Sequence, residues 1–312
     1  MRKSDPDMDL RIGIISVRDE GYHPNRRLLE AAHQAGCQGM LIHPYRLWPT
    51  TIDGTLGLIG EHAETPPHVV LPRQGAEIGD TCLALIHHFE QMGIALVNDL
   101  ASVTIARNKF LTQQALSAAG LPSPAAAFVN EARGFAPAVK RLGGYPVVAK
   151  PVNARQGEGV LLIRDSQEAV HRVLAKLDRQ RGVMVQRYVA PDARRDIRAL
   201  VIGTEAICAA ALTPRQGEFR ANFHLGGDIR RIDLSTEQSR LAVAAATAVG
   251  CDVAGVDMMV EKNGRPLIIE VNYSPGFRGM EAASGLDIAG RIIDFAIHRY
   301  RKKQDTNDTV RL

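Results

Sequence analysis

Through the first hundred residues, short apolar segments rich in β-branched side chains alternate with helical stretches. The predicted strands are residues 11–17, 37–42, 68–75 and 94–98, and the predicted helices are residues 24–35 and 81–93. Strands that are separated by helices form parallel sheets with helices on both faces. We therefore predict an α/β protein whose first domain covers residues 10–100.

Beyond residue 100 the spacing of strands and helices changes. A helical stretch over residues 101–120 ends at a glycine followed by LPSP, which cannot continue a helix. Further strands are predicted at residues 143–151, 159–163 and 183–189 and in a hairpin over 253–272, with helices at 166–177, 236–249 and 287–300. We therefore predict two more modules, residues 101–187 and 188–300, and a charged tail over 301–312.

Composition excludes several classes of protein. The 312 residues are 45% hydrophobic and 23% charged, which is typical of a folded chain with a sizeable core. The 38 basic and 34 acidic residues leave a net charge of +4, too small to indicate a nucleic-acid partner. The four cysteines form no CxxC pair, and no signal peptide or membrane span is evident. We expect a cytoplasmic protein without a direct nucleic-acid or membrane partner.

The hairpin VAGVDMMVEKNGRPLIIEVN places three oxygen-bearing side chains together. Glu270 and Asn272 are two residues apart on one strand and share a face, and the turn at KNG folds Asp257 back toward them. Carboxylate and amide oxygens suit Mg²⁺, which usually also binds water and the phosphates of a nucleotide. The alternative is that they are ordinary polar residues at the edge of a sheet.

Two lysines and a glycine-rich loop indicate an anion site. Lys109 lies in a helical stretch, and Lys150 ends an apolar strand, where its ammonium group needs an anion or water. Gly157 and Gly159 follow in a loop whose backbone N–H groups could cradle a phosphate, although a plain turn explains such a pair equally well. No GxxxxGK[ST] motif occurs and no GxGxxG follows the first strand, so a nucleotide site must be of another kind.

Eight motifs occur in a fixed order: ARNK, GGYPVVAKP, RQGEGV, VQRYV, DIRALVIG, FRANFHLGG, AGVDMMV and IIEVNYSPG. This order resembles the ATP-grasp superfamily, and within it the RimK-type ribosomal-protein glutamate ligases, from about residue 10 to residue 300. The resemblance implies an ATP-grasp fold, with an N-terminal parallel-sheet pre-ATP-grasp domain and two α+β modules that clasp ATP.

The resemblance also implies roles for individual residues. The Mg²⁺ ligands would be Asp257, Glu270 and Asn272, and the residues that hold the phosphoryl group or substrate carboxylate would be Arg198, Arg220 and Asn222. The residues that contact ATP would be Lys109, Lys150, Gln156, Gly157, Gly159, Gln186, Arg187, Tyr188, Val189 and Asp196. The substrate candidates are Arg73, His224, Ser274, Gly276 and Arg278.

The implied activity is ATP-dependent joining of a carboxylate to an amine through an acyl phosphate, with Mg²⁺, or alternatively Mn²⁺, as the metal ion. The favoured reaction adds glutamate to the C-terminus of a peptide or protein. The alternatives are a small-molecule amino-acid ligase, of the lysine-biosynthesis or coenzyme-tailing type, and a catalytically silent ATP-binding regulatory module. Assembly into a homo-oligomer is compatible with the resemblance.

Three departures from the family pattern bear on specificity. Asn108 stands where relatives commonly have aspartate, and Arg187 stands where they usually have an acidic residue. After SPG the chain continues with Phe277 and Arg278 in place of a Leu-Glu-Gly-like sequence. Because two of these changes replace negative charge by positive charge, Arg278 is a candidate to meet an unusually anionic substrate, and a solvated surface arginine is the alternative.

Overall fold

The computed structural model describes residues 10–73, 79–153, 158–213 and 228–310. Its strands are β1 (Arg11–Ile15), β2 (Gln38–Ile42), β3 (Leu47–Ile52), β4 (Thr55–Gly60), β5 (Val69–Pro72), β6 (Ala95–Leu96), β7 (Ala126–Val129), β8 (Val147–Lys150), β9 (Leu161–Ile163), β10 (Val183–Arg187), β11 (Arg194–Ile202), β12 (Glu205–Thr213), β13 (Asp228–Ile232), β14 (Val253–Glu261) and β15 (Pro266–Asn272). Its helices are α1 (His23–Gln34), α2 (Asp80–Gln91), α3 (Leu100–Arg107), α4 (Lys109–Ala118), α5 (Phe135–Arg141), α6 (Ser166–Arg172), α7 (Thr236–Val249), α8 (Arg278–Ser284) and α9 (Ile288–Val310).

The first module is built on the predicted parallel sheet. Its strands lie in the order β2-β1-β5-β6, and every pair is parallel. Ile12 and Ile14 of β1 are fully buried and belong to the same core cluster as Ile292 and Ile293 of α9. Each such side chain contributes about 1.5–3 kcal/mol when it leaves water. The C-terminal helix is therefore part of the core of the first module.

An antiparallel hairpin of β3 and β4, which the sequence does not predict, follows β2 in the chain. Several of its apolar side chains face solvent, among them Trp48 and Ile59, which are directly opposite each other. The usual alternation of apolar and polar residues is absent here because the hairpin is not covered on one face.

The middle module is an antiparallel sheet in the order β7-β10-β8-β9. A separate core cluster packs against it, in which Phe135 of α5 and Val147 of β8 are almost fully buried. Alternate residues of β8 therefore belong to a closed apolar core, while the strand's last residue, Lys150, is only partly buried. The sheet thus carries a lysine at the end of an apolar strand, as predicted.

The third module is an antiparallel sheet in the order β13-β12-β11-β14-β15. Helix α7 packs against it and begins with a capping box between Ser235 and Gln238. The predicted hairpin is present as β14 and β15, and Gly264 in its turn has a φ of +87°, a conformation that favours glycine.

Two helices differ from the predicted ones. The stretch predicted as one helix over residues 101–120 is broken at Asn108, so that α3 ends and α4 begins there. Residues 301–310, predicted as part of a charged tail, continue α9, and the Lys303 ammonium donates to the Ile94 carbonyl at 3.3 Å. The apolar face that packs on the first module ends at Tyr300, and the charged residues beyond it extend the same helix. No described helix is both long and apolar enough to cross a membrane.

Candidate active site

The hairpin of β14 and β15 brings the two predicted acidic ligands together. Asp257 is directly opposite Glu270, and Gly255 is directly opposite Asn272. Residues that are directly opposite, or two apart on one strand, share a face of the sheet. A register shift follows Asp257, so the residues nearer the turn pair one position out of step. Asp257, Glu270 and Asn272 therefore share one face of one sheet.

Arg198 lies beside this face on the neighbouring strand. It is directly opposite Asp257 across β11 and β14, and its Nε and Nη2 atoms donate to the two carboxylate oxygens of Asp257 at 2.6 Å each. A paired guanidinium and carboxylate fix each other's orientation. The negative charges of Asp257 and Glu270 raise the pKa of Arg198, so the residue carries a positive charge at every physiological pH.

Lys109 reaches the other carboxylate. Its Nζ atom lies 3.4 Å from Oε1 of Glu270, although the two residues belong to α4 and β15. The side chain of Asn108 accepts hydrogen bonds from the backbone N–H groups of Phe110 and Leu111, and so caps the N-terminus of α4. The Asn108 departure therefore has a local role, which is to begin the helix at Lys109.

Lys150 lies at the end of β8 and donates to Oε1 of Gln186 at 2.6 Å. Gln186 is buried and donates in turn to Oε1 of Gln113, at 3.4 Å, and Gln113 donates to the Ser123 hydroxyl. Burial lowers the pKa of Lys150 to about 8, against the opposing effect of Glu270. Lys150 is therefore a partly buried cation whose hydrogen-bond partner among the described residues is a neutral amide, which favours an incoming anion.

The segment after β10 carries the residues predicted near the nucleotide base. Arg187 is about two-fifths exposed and pairs with Glu261 at 3.4 Å, so its positive charge is partly neutralised. The Val189 carbonyl accepts from the Arg194 guanidinium, which also binds Asp196 at 3.0 Å. Burial raises the pKa of Asp196. Tyr188, which lies between Arg187 and Val189 in the chain, is partly exposed.

Two of the substrate candidates contact each other across modules. The Arg73 guanidinium donates to the Pro275 carbonyl at 2.5 Å, and the Ser274 hydroxyl donates to the Arg73 carbonyl at 2.9 Å. Burial lowers the pKa of Arg73 to about 10. Gly276 and Arg278 are exposed, and Arg278 forms no ion pair with a described residue.

Five predicted site residues lie outside the described residues: Gln156, Gly157, Arg220, Asn222 and His224. Gly159 is described and has a φ of +67°, and a Cβ atom there would lie 2.7 Å from Cγ of Pro151. This position therefore requires glycine on both conformational and steric grounds. Whether its loop cradles a phosphate stays a prediction.

Sequence reasoning missed two side-chain amides near the site, the partly buried Gln113 and the buried Asn98. Gln113 is 73 residues from its partner Gln186, and Asn98 bonds to residues 155 and 175 positions away. Because sequence patterns report near neighbours, neither contact has a signal in the sequence.

The donor set fits a hard divalent cation of the Mg²⁺ type. Asp257 and Glu270 supply carboxylate oxygens, and the Asn272 side chain has no hydrogen-bond partner among the described residues. No three His, Cys, Asp or Glu side chains cluster within the described part of the chain closely enough to hold a metal ion by themselves. Such an ion would therefore need further oxygens from water or phosphate, as Mg²⁺ at nucleotide sites does.

Comparison with solved structures identifies the fold. The fold is similar to PsnB, an ATP-grasp ligase solved with a minimal precursor (TM-score 0.71, 21% identity, covering 93% of this chain and 99% of that one). It is also similar to D-alanine–D-alanine ligase of Bacillus anthracis complexed with ATP (TM-score 0.70, 18% identity, covering 95% and 99%). The chain has an ATP-grasp fold with an N-terminal parallel sheet, which confirms the predicted fold class.

Sequence comparison identifies the family. Residues 10–103 match the RimK pre-ATP-grasp domain, and residues 106–296 match the RimK-like ATP-grasp domain. Probable alpha-L-glutamate ligases of Pseudoalteromonas translucida and Thioalkalivibrio sulfidiphilus are 35% and 34% identical over 288 residues each, covering 92% of this chain and 95% of each relative. The chain belongs to the RimK family and is an ATP-grasp carboxylate–amine ligase.

Proposed function

We propose that the protein uses ATP and Mg²⁺ to join the amino group of glutamate to the C-terminal carboxylate of a peptide or protein. The relatives named probable alpha-L-glutamate ligase support glutamate as the amino acid. PsnB, whose structures contain precursor peptides, supports a peptide as the other substrate. The exposed Arg278, which lacks an acidic partner among the described residues, is consistent with an anionic acceptor.

The observation that carries this proposal is the arrangement of charge around the β14–β15 hairpin. Two carboxylates and an amide share one face, and Arg198 and Lys109 each lie against one of the carboxylates. Both signs of charge are needed where a polyphosphate and a divalent ion meet a carboxylate substrate. A protein that only sensed a nucleotide would have less use for this combination.

The reaction follows from the chemistry of the carboxylate, which is a poor electrophile because oxide is a poor leaving group. Its oxygen attacks the γ-phosphorus of ATP, the bond to ADP breaks, and an acyl phosphate forms. The amine of glutamate then attacks the acyl carbon, the carbon–oxygen bond to phosphate breaks, and the amine gives up a proton. In this scheme Lys150 and Lys109 hold the phosphates, and Arg198 holds the reacting carboxylate or the transferred phosphoryl group.

Asp257, Glu270 and Asn272 would hold Mg²⁺. The ion supplies positive charge that offsets the repulsion between an attacking anion and the triphosphate. The protein's own part is to keep these ligands on one face and to place cationic side chains around them.

The test is ADP release with ATP, glutamate and a set of peptides that end in a free carboxylate, followed by mass measurement of the products. A product heavier by whole glutamyl residues is expected. Activity with free amino acids as the only acceptors would instead favour a small-molecule ligase, and nucleotide binding without any ADP release would favour a silent regulatory module.

A matched pair of variants tests the metal site in the same assay. Glu270→Gln removes one ligand charge and is expected to abolish turnover. Glu237→Gln makes the same change at an exposed position in the first turn of α7 and is expected to leave turnover unchanged. Unchanged ADP release by the Glu270 variant would contradict the assignment.

A further inference from the structure

The segment over residues 273–277 comes directly after Asn272 and is held by residues of the first module. Of its residues, Tyr273, Ser274 and Pro275 each form a hydrogen bond with Asn98 or Arg73. The Phe277 ring lies 5.6 Å from the Arg73 guanidinium. The parallel sheet of one module thus supports the strand end of another.

Asn98 forms the tighter of the two attachments. Its Nδ2 atom donates to the carbonyls of Val253 and Tyr273, and its Oδ1 atom accepts from the backbone N–H of Val253, all at 2.8 Å. The side chain is 1% exposed, so water does not compete for these bonds. Every hydrogen bond that this amide makes here links β14, or the residue after β15, to the first module.

The position of these bonds matters because the ladder between β14 and β15 ends just there. Its last pair is Gly255 with Asn272; Tyr273 follows Asn272 directly, and Val253 lies two residues before Gly255. The Asn98 amide bonds to Val253 of β14 and to Tyr273, the residue after β15, and so links the two chain segments beyond their last ladder pair. Without it, buried backbone groups next to Asn272 would lose their partners.

Arg73 forms the second attachment. Its backbone N–H donates to the Ile15 carbonyl at the end of β1, its carbonyl accepts from Ser274, and its guanidinium donates to Pro275. This geometry makes Arg73 a tie between β1 and the loop after β15. The substrate contact that the family resemblance implies for Arg73 stays a prediction.

We propose that Asn98 and Arg73 are positioning residues for the metal ligand Asn272. The inference rests on the proposed function, because it takes Asp257, Glu270 and Asn272 as the Mg²⁺ ligands. Asn272 is the last residue of β15, so the backbone ladder supports it only from the residues that precede it. Metal sites require their ligands to be held to within a fraction of an ångström. The two residues supply that support from outside the sheet.

The decisive variant is Asn98→Asp, which keeps the shape but replaces the Nδ2 donor by an oxygen facing two carbonyls. The full-length protein is titrated with the non-hydrolysable nucleotide AMPPNP, once with Mg²⁺ and once with EDTA, and each affinity is measured by calorimetry. For the wild type we expect Mg²⁺ to tighten binding. In the variant that gain should fall by about tenfold, while the affinity in EDTA changes little.

Asn25→Asp is the matched control. Asn25 is also a fully buried asparagine of the first module, and it donates to Ser16, Arg18 and Asp19 but not to residues 273–277. It should lose stability without losing the Mg²⁺-dependent gain. Ser274→Ala, which removes only the bond to the Arg73 carbonyl, should fold normally and lose a smaller part of the gain, about two- to fivefold.

The outcomes separate this inference from the proposed function. A wild-type protein whose nucleotide affinity does not respond to Mg²⁺ would contradict the metal site itself. If the wild type responds, an equal response in the Asn98 variant, an equal loss with EDTA, or the same loss in the Asn25 variant would overturn the positioning role alone. Should the Asn98 variant fail to fold, an unaltered gain in the Ser274 variant would overturn it.

Discussion

At the scale of single residues, the site is built from charges that the fold holds partly out of water. Lys150 has its ammonium bonded to a neutral amide, and burial lowers its pKa to about 8. Arg198 is bonded through two nitrogens to Asp257, which raises its pKa. The guanidinium thus keeps its charge at all working pH values, whereas the lysine titrates within the physiological range.

The pKa of Lys150 predicts how nucleotide binding depends on pH. Since its pKa in the free protein lies below the ordinary value, the cation is present below pH 8 and is lost as the pH rises through 8. We expect the affinity for AMPPNP to fall above that pH, by at most about tenfold per pH unit, because the anion binds the charged form. Calorimetry between roughly pH 6.5 and 9.5 measures this dependence.

Lys150→Arg is the control for this profile. A guanidinium stays charged throughout the range, so the decline above pH 8 should disappear even if the affinity itself is lower. A wild-type affinity that does not change with pH, or a decline that persists in the variant, would contradict the assignment of the titration to this lysine.

At the scale of elements, the break between α3 and α4 decides where Lys109 stands. The cap by Asn108 begins α4 at the lysine, whose ammonium then reaches Glu270 at 3.4 Å. The backbone N–H of Lys109 also donates to the Val152 carbonyl, which links the helix to the chain just beyond β8. A single continuous helix would not have this start.

Replacing the cap should therefore cost stability. For Asn108→Ala we expect a loss of about 1 kcal/mol in the free energy of unfolding, because two backbone N–H groups lose their acceptor. Asn108→Asp keeps an acceptor oxygen and should be close to the wild type. Urea unfolding followed by circular dichroism gives both values, and equal stability of the alanine variant would refute the capping role.

The sequence predicts those elements whose signal is local. The β14–β15 hairpin follows from alternation and the Asn-Gly turn, and the parallel sheet follows from strands that alternate with helices. The β3–β4 hairpin escapes because Trp48 and Ile59 are apolar and yet exposed. The break at Asn108 is not predicted because a polar residue inside a helical pattern usually indicates only a surface position.

For the site, the sequence supplies the ligand residues but not their support. Asp257, Glu270 and Asn272 are readable because spacing on a strand fixes which face a side chain takes. The roles of Asn98 and Gln113 cannot be predicted from the sequence, since their partners lie far away in the chain and depend on how distant elements pack. Arg73 is readable as a candidate, but its bond to Pro275 becomes visible only in three dimensions.

At the scale of the whole molecule, the first and third modules share one core. The cluster that contains Ile12 and Leu28 of the first module also contains Leu200 and Val253 of the third sheet and Ile293 of α9. The middle module has a cluster of its own around Phe135. Two of the three modules are therefore expected to unfold as one unit.

A core substitution tests this. Ile293→Ala removes a fully buried side chain from the shared cluster and should cost about 2–5 kcal/mol. Tryptophan fluorescence follows Trp48 in the first module, and hydrogen exchange follows the strands of the third sheet. Both signals should shift together, and a shift confined to one module would contradict a common core.

The attachment of residues 273–277 to Asn98 and Arg73 has a consequence for motion around the nucleotide. The acidic face belongs to a sheet fastened to the first module, whereas Lys150 belongs to a sheet with an independent core. A rotation of the middle sheet would move Lys150 toward or away from Asp257 and Glu270, which would stay in place. A bound triphosphate would then lose its contact with Lys150 first, while Asp257, Glu270 and Asn272 keep their arrangement.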